Sequence, residues 1–392
     1  MNRELTQRIN SLKGRLAENR LDAFILSSQE SLLYFTGMSY RPEERAFFMI
    51  VPRNGVPIFL SPKLEEKHLC KITVESEIRT YWEAVSPPGE NWFDILETLI
   101  RPFARVGVEA CIPNNILQKI PAREIVCSDI VEDMRKVKTP FELAMIRGTA
   151  ALADKGMKSI LANAYIGASI LEIFSLSSAI QRELIRGKRY DPVLTALTTA
   201  AWPSPNSAMP HSIPGLGDRL TRGSNVAMTY YRVGGYAAEC ERTFFLDRAD
   251  APEKKYFHDM LKARAVAFEM VKPGIKCSDI DAAVRNFLIK QGYEDNLLHR
   301  TGHGIGLSNH EKPFISLGDD EELRPDMVIS IEPGIYINGV GGYRHSDTVL
   351  VTKTGFEPLT KTNTDLYSMT ITGTNIAAAV KGKAIRTALG ID

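Results

Sequence analysis

Apolar residues recur at helical spacing near the start of the chain. Leu5, Ile9, Leu12 and Leu16 are separated by Arg, Lys and other polar side chains, which predicts a helix over 4–20. Residues 22–28 read as a short buried strand. Two further apolar runs, 46–52 and 56–60, flank Asn54-Gly55, a step that favours a hairpin turn. Residues 91–103 carry a helical pattern and 106–109 a strand. Strands alternating with helices predict a small α/β domain over 1–134.

The pattern then changes. Thr139, Pro140 and Glu142 spell a helix start, with Thr139 as N-cap, Pro140 at the first helical position and Glu142 at the capping-box spacing. This helix is predicted to run to about Ala164, and the domain boundary is placed near 135. Further helices are predicted near 169–186, 252–271 and 278–291, with strands at 225–231, 235–246, 327–336 and 345–352. Helices over one mostly antiparallel sheet make an α+β domain, 135–370. The tail, 371–392, carries an amphipathic stretch from Ile376 to Leu389 that either caps the fold or packs on a partner.

Composition narrows the function classes. With 44% apolar and 24% charged residues, the 392-residue chain has an ordinary globular balance. A net charge of +1 gives no field for nucleic acid or an anionic membrane. No apolar run approaches the roughly 18 residues of a spanning helix. The charged N-terminal segment is not a signal peptide. Cys70, Cys111, Cys127, Cys240 and Cys277 are scattered with no Cys-x-x-Cys pair. Reduced thiols in the cytoplasm are expected, with no disulfide framework.

Chemistry concentrates in the second half. His303 lies in Thr-Gly-His-Gly-Ile-Gly (301–306), and Glu332 follows in Ser-Ile-Glu-Pro-Gly-Ile-Tyr (330–336). Glycines beside His303 let backbone approach closely. In a strand, Glu239 and Glu241 project to one face and Cys240 and Arg242 to the other. Two such carboxylates are either buried, needing a metal, a cationic substrate or a shared proton, or solvated on an edge strand. His211 ends a proline-rich loop and is either a general base or a surface residue. His310 precedes Glu311. Arg344 can clamp a carboxylate bidentately or form a structural salt bridge.

These pieces, in order, resemble the creatinase/prolidase family, the pita-bread fold, over most of the chain. The resemblance rests on Arg135 to Leu143, Ser207-Ala-Met-Pro-His211, Gly235-Tyr236 through Arg242-Thr-Phe244, Gly302-His-Gly-Ile-Gly306 with His310-Glu311, Met327 to Gly334, and Gly342-Tyr-Arg344 through Asp347. Metal-dependent members hold two ions with two Asp, one His and two Glu. Carried over, the first Asp falls on Met228 or, with a one-residue slip, Thr229. The second falls on Glu239, the His on His303, the first Glu on Glu332 and the last on Ser346. Two lost ligands predict no dinuclear site, leaving Glu239, His303 and Glu332 as a runner-up set for one divalent metal such as Mn or Zn.

The departures resemble the metal-free, creatinase-like members. That resemblance implies a hydrolase without a cofactor, cleaving a C–N bond of an amidine, guanidine or amide in a small polar metabolite. It implies His211, Glu241 and Glu332 as catalytic residues, and Arg45, Tyr236, Glu239, His303, His310 and Arg344 as substrate contacts. It also implies a homodimer in which the N-terminal domain, through Arg45, reaches the neighbour's cleft. An Xaa-Pro dipeptidase with a reduced metal site and a non-catalytic binding module are the alternatives.

Overall fold

The computed structural model describes residues 2–391 apart from 42, 70, 71, 84 and 85. The chain forms two compact units, 1–135 and 136–392. In the first, helix Asn2–Glu18 buries Leu5, Ile9, Leu12 and Leu16. Six strands follow: β1 (Ala23–Leu26), β2 (Phe48–Pro52), β3 (Ile58–Pro62), β4 (Glu77–Tyr81), β5 (Arg105–Val108) and β6 (Glu124–Cys127). They form one mixed sheet, ordered β4-β3-β2-β1-β5-β6. The turn between antiparallel β2 and β3 contains Gly55 at φ +105°, a conformation that favours glycine.

In the second unit the strands are β7 (Ala196–Pro203), β8 (Gly223–Val233), β9 (Tyr236–Leu246), β10 (Gly302–Gly304), β11 (Glu311–Ile315), β12 (Val328–Ile331), β13 (Gly334–Ile337), β14 (Gly341–Arg344), β15 (Ser346–Val351), β16 (Phe356–Pro358) and β17 (Thr370–Ile371). The main sheet runs β11-β10-β12-β15-β9-β8-β7, with β16 on β15 and β17 on β9. All these pairings are antiparallel except β17 with β9. Helix Pro140–Asn163 starts on the Thr139–Glu142 capping box and packs against β8 and β9. Its Met157 and Ile160 share an apolar core with Cys240 and Phe244 of β9 and with helices Ala251–Met270 and Cys277–Lys290.

Two predicted elements are broken. The helix expected over 169–186 divides into Ile170–Ser175 and Ser177–Arg186. The strand expected over 327–336 divides at Glu332-Pro333: β12 stays in the large sheet, whereas β13 leaves it and pairs with β14. Pro333 has no N–H to continue the ladder, so the chain turns there. The C-terminal stretch forms helix Ile376–Leu389 and caps the fold. Its Arg386 pairs with Glu172 and donates to the Tyr165 hydroxyl, and Asn375 donates to the Ala162 carbonyl.

Candidate active site

Strand parity builds the site. Glu241 of β9 faces Met228 of β8 and Ser346 of β15 across the ladder, so these three share a face. Thr229, Cys240 and Asp347 share the other. There Arg242, fully buried, donates to Asp347 Oδ1 at 2.7 Å, and Arg264 donates to Oδ2 at 2.5 Å. Arg242 also donates to the carbonyls of Glu241 at 2.7 Å and Ser346 at 2.9 Å, tying β9 to β15 directly behind the acidic face.

On that acidic face lies a cleft of about 650 Å³. Its walls include Glu239, Glu241, Glu332, His211, His299, His310, Asn309, Arg300, Arg344, Met228, Trp202 and Phe314. His303 stands at its edge, its backbone N–H donated to Ser330 Oγ. Gly302 and Gly304 beside it are required, because a Cβ would collide with the carbonyls of Ser330 and Lys312. His303 Nδ1 meets the Gly304 carbonyl at 3.1 Å, which fixes a proton on that nitrogen. Nε2 therefore points at Glu332 Oε1 (3.1 Å) and Glu239 Oε1 (3.7 Å).

Burial works against charge on His303, but Glu239 and Glu332 outweigh it and push its pKa up to about 9. Burial would raise Glu332, yet the close contact with the His303 ring and that ring's charge pull it down to about 2. Burial keeps Glu239 raised, with His303 opposing. Burial also raises Glu241. Arg344 opposes that rise and the other two acids add to it, taking the group to about 8. The His310 ring lies tilted against the His303 ring, centroids 4.1 Å apart, and desolvation together with that neighbouring cation pushes its pKa down.

A second chain of contacts runs behind Glu241. Arg344 holds it by one hydrogen bond, Nη2 to Oε1 at 2.9 Å, and by an ion pair in which Nε lies against Oε2. Arg344 Nη1 donates to the Tyr336 hydroxyl at 2.9 Å. His299 Nδ1 faces the Arg300 carbonyl at 2.7 Å, so its Nε2 accepts from Tyr336 at 2.7 Å. Both contacts of the His299 ring are met with His299 neutral, consistent with burial lowering its pKa.

The structure sorts the residues singled out in the sequence. Glu239, Glu241, Glu332, His211, His310 and Arg344 line one cleft, and His303 reaches it from β10. His211 is exposed on the wall, at the end of a loop that begins with a cis Ser204-Pro205 bond. Tyr236 does not line the cleft. It has the parity of Cys240, its ring packs on Phe141 and its hydroxyl donates to Glu142. Arg344 is not a free carboxylate clamp, because its fork is taken by Glu241. By the same contact, Glu241 is not open to grip an amidinium group with both oxygens. Arg45 belongs to the first unit, where it pairs with Glu83 at 2.6 Å and Glu44 at 3.2 Å. His299, Arg300, Asn309, Trp202 and Tyr336 were missed. Position offered the only signal: His299 and Arg300 directly precede the Thr301-Gly-His303 motif, and Tyr336 closes the one that contains Glu332.

A sheet with helices on one face and a histidine between two acids on the other defines a hydrolase-type cleft able to hold a cation. Comparison with known proteins makes the class specific. Residues 144–353 match metallopeptidase family M24, and residues 8–137 match the creatinase/prolidase N-terminal domain. The chain belongs to the M24 family and is a hydrolase of that family. An uncharacterized peptidase of Staphylococcus epidermidis is 29% identical, the match covering 90% of this chain and 99% of that one. The prolidase of Pyrococcus horikoshii OT3 superposes with TM-score 0.78 at 25% identity, over 92% of this chain and 99% of its own. A dipeptidase from the same organism gives 0.77 at 28%, over 93% and 99%. No helix among the described residues is long and apolar enough to cross a membrane.

The family corrects the expectation of a cofactor-free site, and the donor set agrees with the correction. Ligand atoms of Glu239, His303 and Glu332 lie within 4.8 Å of one another. His303 Nε2 is buried and, despite the nearby acid, makes no well-aligned hydrogen bond. One imidazole nitrogen and two carboxylates suit Zn²⁺ or Mn²⁺. A second ion fits less well. Met228, not Thr229, faces the cleft, since the Thr229 hydroxyl turns away to the Ala153 carbonyl. Ser346 offers only a hydroxyl, already donated to Glu239 at 2.7 Å. Glu241, the remaining acid, is held by Arg344.

Proposed function

We propose that this cleft hydrolyses a C–N bond in a small polar substrate, dipeptides being the first class to test, with one divalent cation held by Glu239, His303 and Glu332. The convergence of those three donors in one cleft carries the reading. A cation there supplies Lewis acidity toward the substrate carbonyl. The protein's own groups do the rest. His211 stands on the wall with a ring free to take a proton from water and return it to the leaving nitrogen. Ser346 orients Glu239 by donating to it, and the His310 ring packed against His303 restrains that ring, as groups around a ligating histidine do. Arg344 fixes Glu241 in place and, as a buried cation, disfavours a second ion beside it. Trp202, Leu298 and Phe314 give the cleft apolar wall area for a side chain or ring.

A second substrate class, guanidino acids and cyclic amidines, would be met by Glu239 and Glu332, since Glu241 is held by Arg344. The test is a panel of Xaa-Pro and other dipeptides, guanidino acids and cyclic amidines, run on protein of measured metal content. Turnover of one class, lost after chelation and restored by about one equivalent of Mn²⁺ or Zn²⁺, is the expected result. Two equivalents bound at saturation, or turnover indifferent to chelation, would refute the one-cation reading.

A further inference from the structure

The arginine expected to meet a substrate carboxylate is engaged elsewhere, and another cationic side chain of the cleft has no acid partner among the described residues. Arg300 lines the cleft with its guanidinium over the Phe314 ring, 4.5 Å from the ring centre. Its Nε is buried and has no hydrogen-bond partner among the described residues. Arg344 is paired with Glu241 and His303 lies 3.1 Å from Glu332, although each also keeps a nitrogen without a hydrogen-bond partner; Arg300 differs in having no acid beside it among the described residues.

A guanidinium with a buried, unanswered N–H is costly unless an acceptor arrives. The cation–π contact with Phe314 restrains the guanidinium without using its hydrogen bonds. Such a preset fork matches the two oxygens of a carboxylate. Residues 299 and 300 lead directly into β10, so Arg300 is three positions from His303 on a restrained segment. Its neighbour's ring is locked by Tyr336 and its own carbonyl accepts from His299.

We propose that Arg300, presented by Phe314, is the carboxylate-recognition residue of this cleft, and that its substrates are small acids bearing a free carboxylate near the scissile C–N bond. This deepens the hydrolase reading and depends on it only for turnover, not for anion binding. A charge-assisted bidentate contact corresponds to about 10–100-fold in affinity.

The experiment pairs each cleaved dipeptide with its C-terminal amide, on wild type, Arg300→Gln and Arg300→Lys. The wild type is expected to favour the free acid about 10–100-fold in kcat/KM. Arg300→Gln should abolish that preference, with a much larger fall in kcat/KM for the acid than for the amide, and Arg300→Lys should keep part of it. A preference that survives Arg300→Gln, or an equal loss on both substrates, overturns the assignment. A binding arm uses glutarate against glutaramide, read as ligand-induced thermal shift. A glutarate-specific shift lost in Arg300→Gln supports the anion site even if no dipeptide is cut. Absence of any such shift in the wild type counts against it.

Discussion

Replacing Asp347 by Asn should destabilise the second unit severely. Asp347 is 1% exposed and accepts from Arg242, Arg264 and Thr360. Burial would raise its pKa, but the two arginines prevail and hold it below the ordinary aspartate value. The amide keeps the shape and removes the charge, leaving Arg242 cationic and completely enclosed. Breaking a buried pair on one side costs about 3–5 kcal/mol. For a domain of this size each kcal/mol lowers the midpoint by about 2–4 °C, so a fall of roughly 6–20 °C is expected. The sign with pH follows from the depressed carboxyl. Its contribution is present above the unfolded aspartate value of about 3.9 and disappears as pH falls through the lower folded value. Thermal and urea unfolding of wild type and Asp347→Asn at pH 7 and pH 4 provide the assay. A loss below about 1 kcal/mol at pH 7 would show that the Arg242–Asp347–Arg264 cluster does not hold β9 to β15 as argued.

Other outcomes follow from the same geometry. Glu332→Gln or His303→Ala should lower bound Zn²⁺ or Mn²⁺, measured by plasma mass spectrometry, to well under 0.1 equivalent, since three donors leave none to spare; retention of a full equivalent would place the ion elsewhere. Gly302→Ala should cost about 1–3 kcal/mol and reduce metal content together, because the new methyl strikes the Ser330 carbonyl beside His303. Burial would raise the Glu172 pKa, but the Ser169 N–H, Tyr165 and Arg386 keep it low. The C-terminal helix should therefore hold above the ordinary glutamate range and loosen as pH falls below about 4. Hydrogen exchange over 376–389 is the check, and Glu172→Gln should exchange fast at every pH.

Much of the site was legible because strand parity is a property of sequence alone. Glu239 and Glu241 had to share a face, and that face proved to be buried in the middle of a nine-stranded sheet, not solvated on an edge. The Thr139–Glu142 cap likewise announced its helix. What stayed hidden depends on partners distant in the chain. The choice for Arg344 between clamp and salt bridge stayed open because Glu241, 103 residues away, is its neighbour only in three dimensions. The slip between Met228 and Thr229 could be decided only by the register of β8 on β9. Arg300 was passed over because an arginine beside a conspicuous histidine carries no mark of lacking an acid. The cofactor expectation failed for a different reason. It counted absent ligands and gave too little weight to the three that remained.

The two-residue period of β9 has an evolutionary corollary. Inserting or deleting one residue there would present Cys240 and Arg242 to solvent and drive both glutamates among the helices. Individual positions such as 228 or 346 can exchange one side chain for another and remodel the chemistry gradually. Lineages of this architecture should therefore diversify by replacement within these strands and confine changes of length to the loops between them.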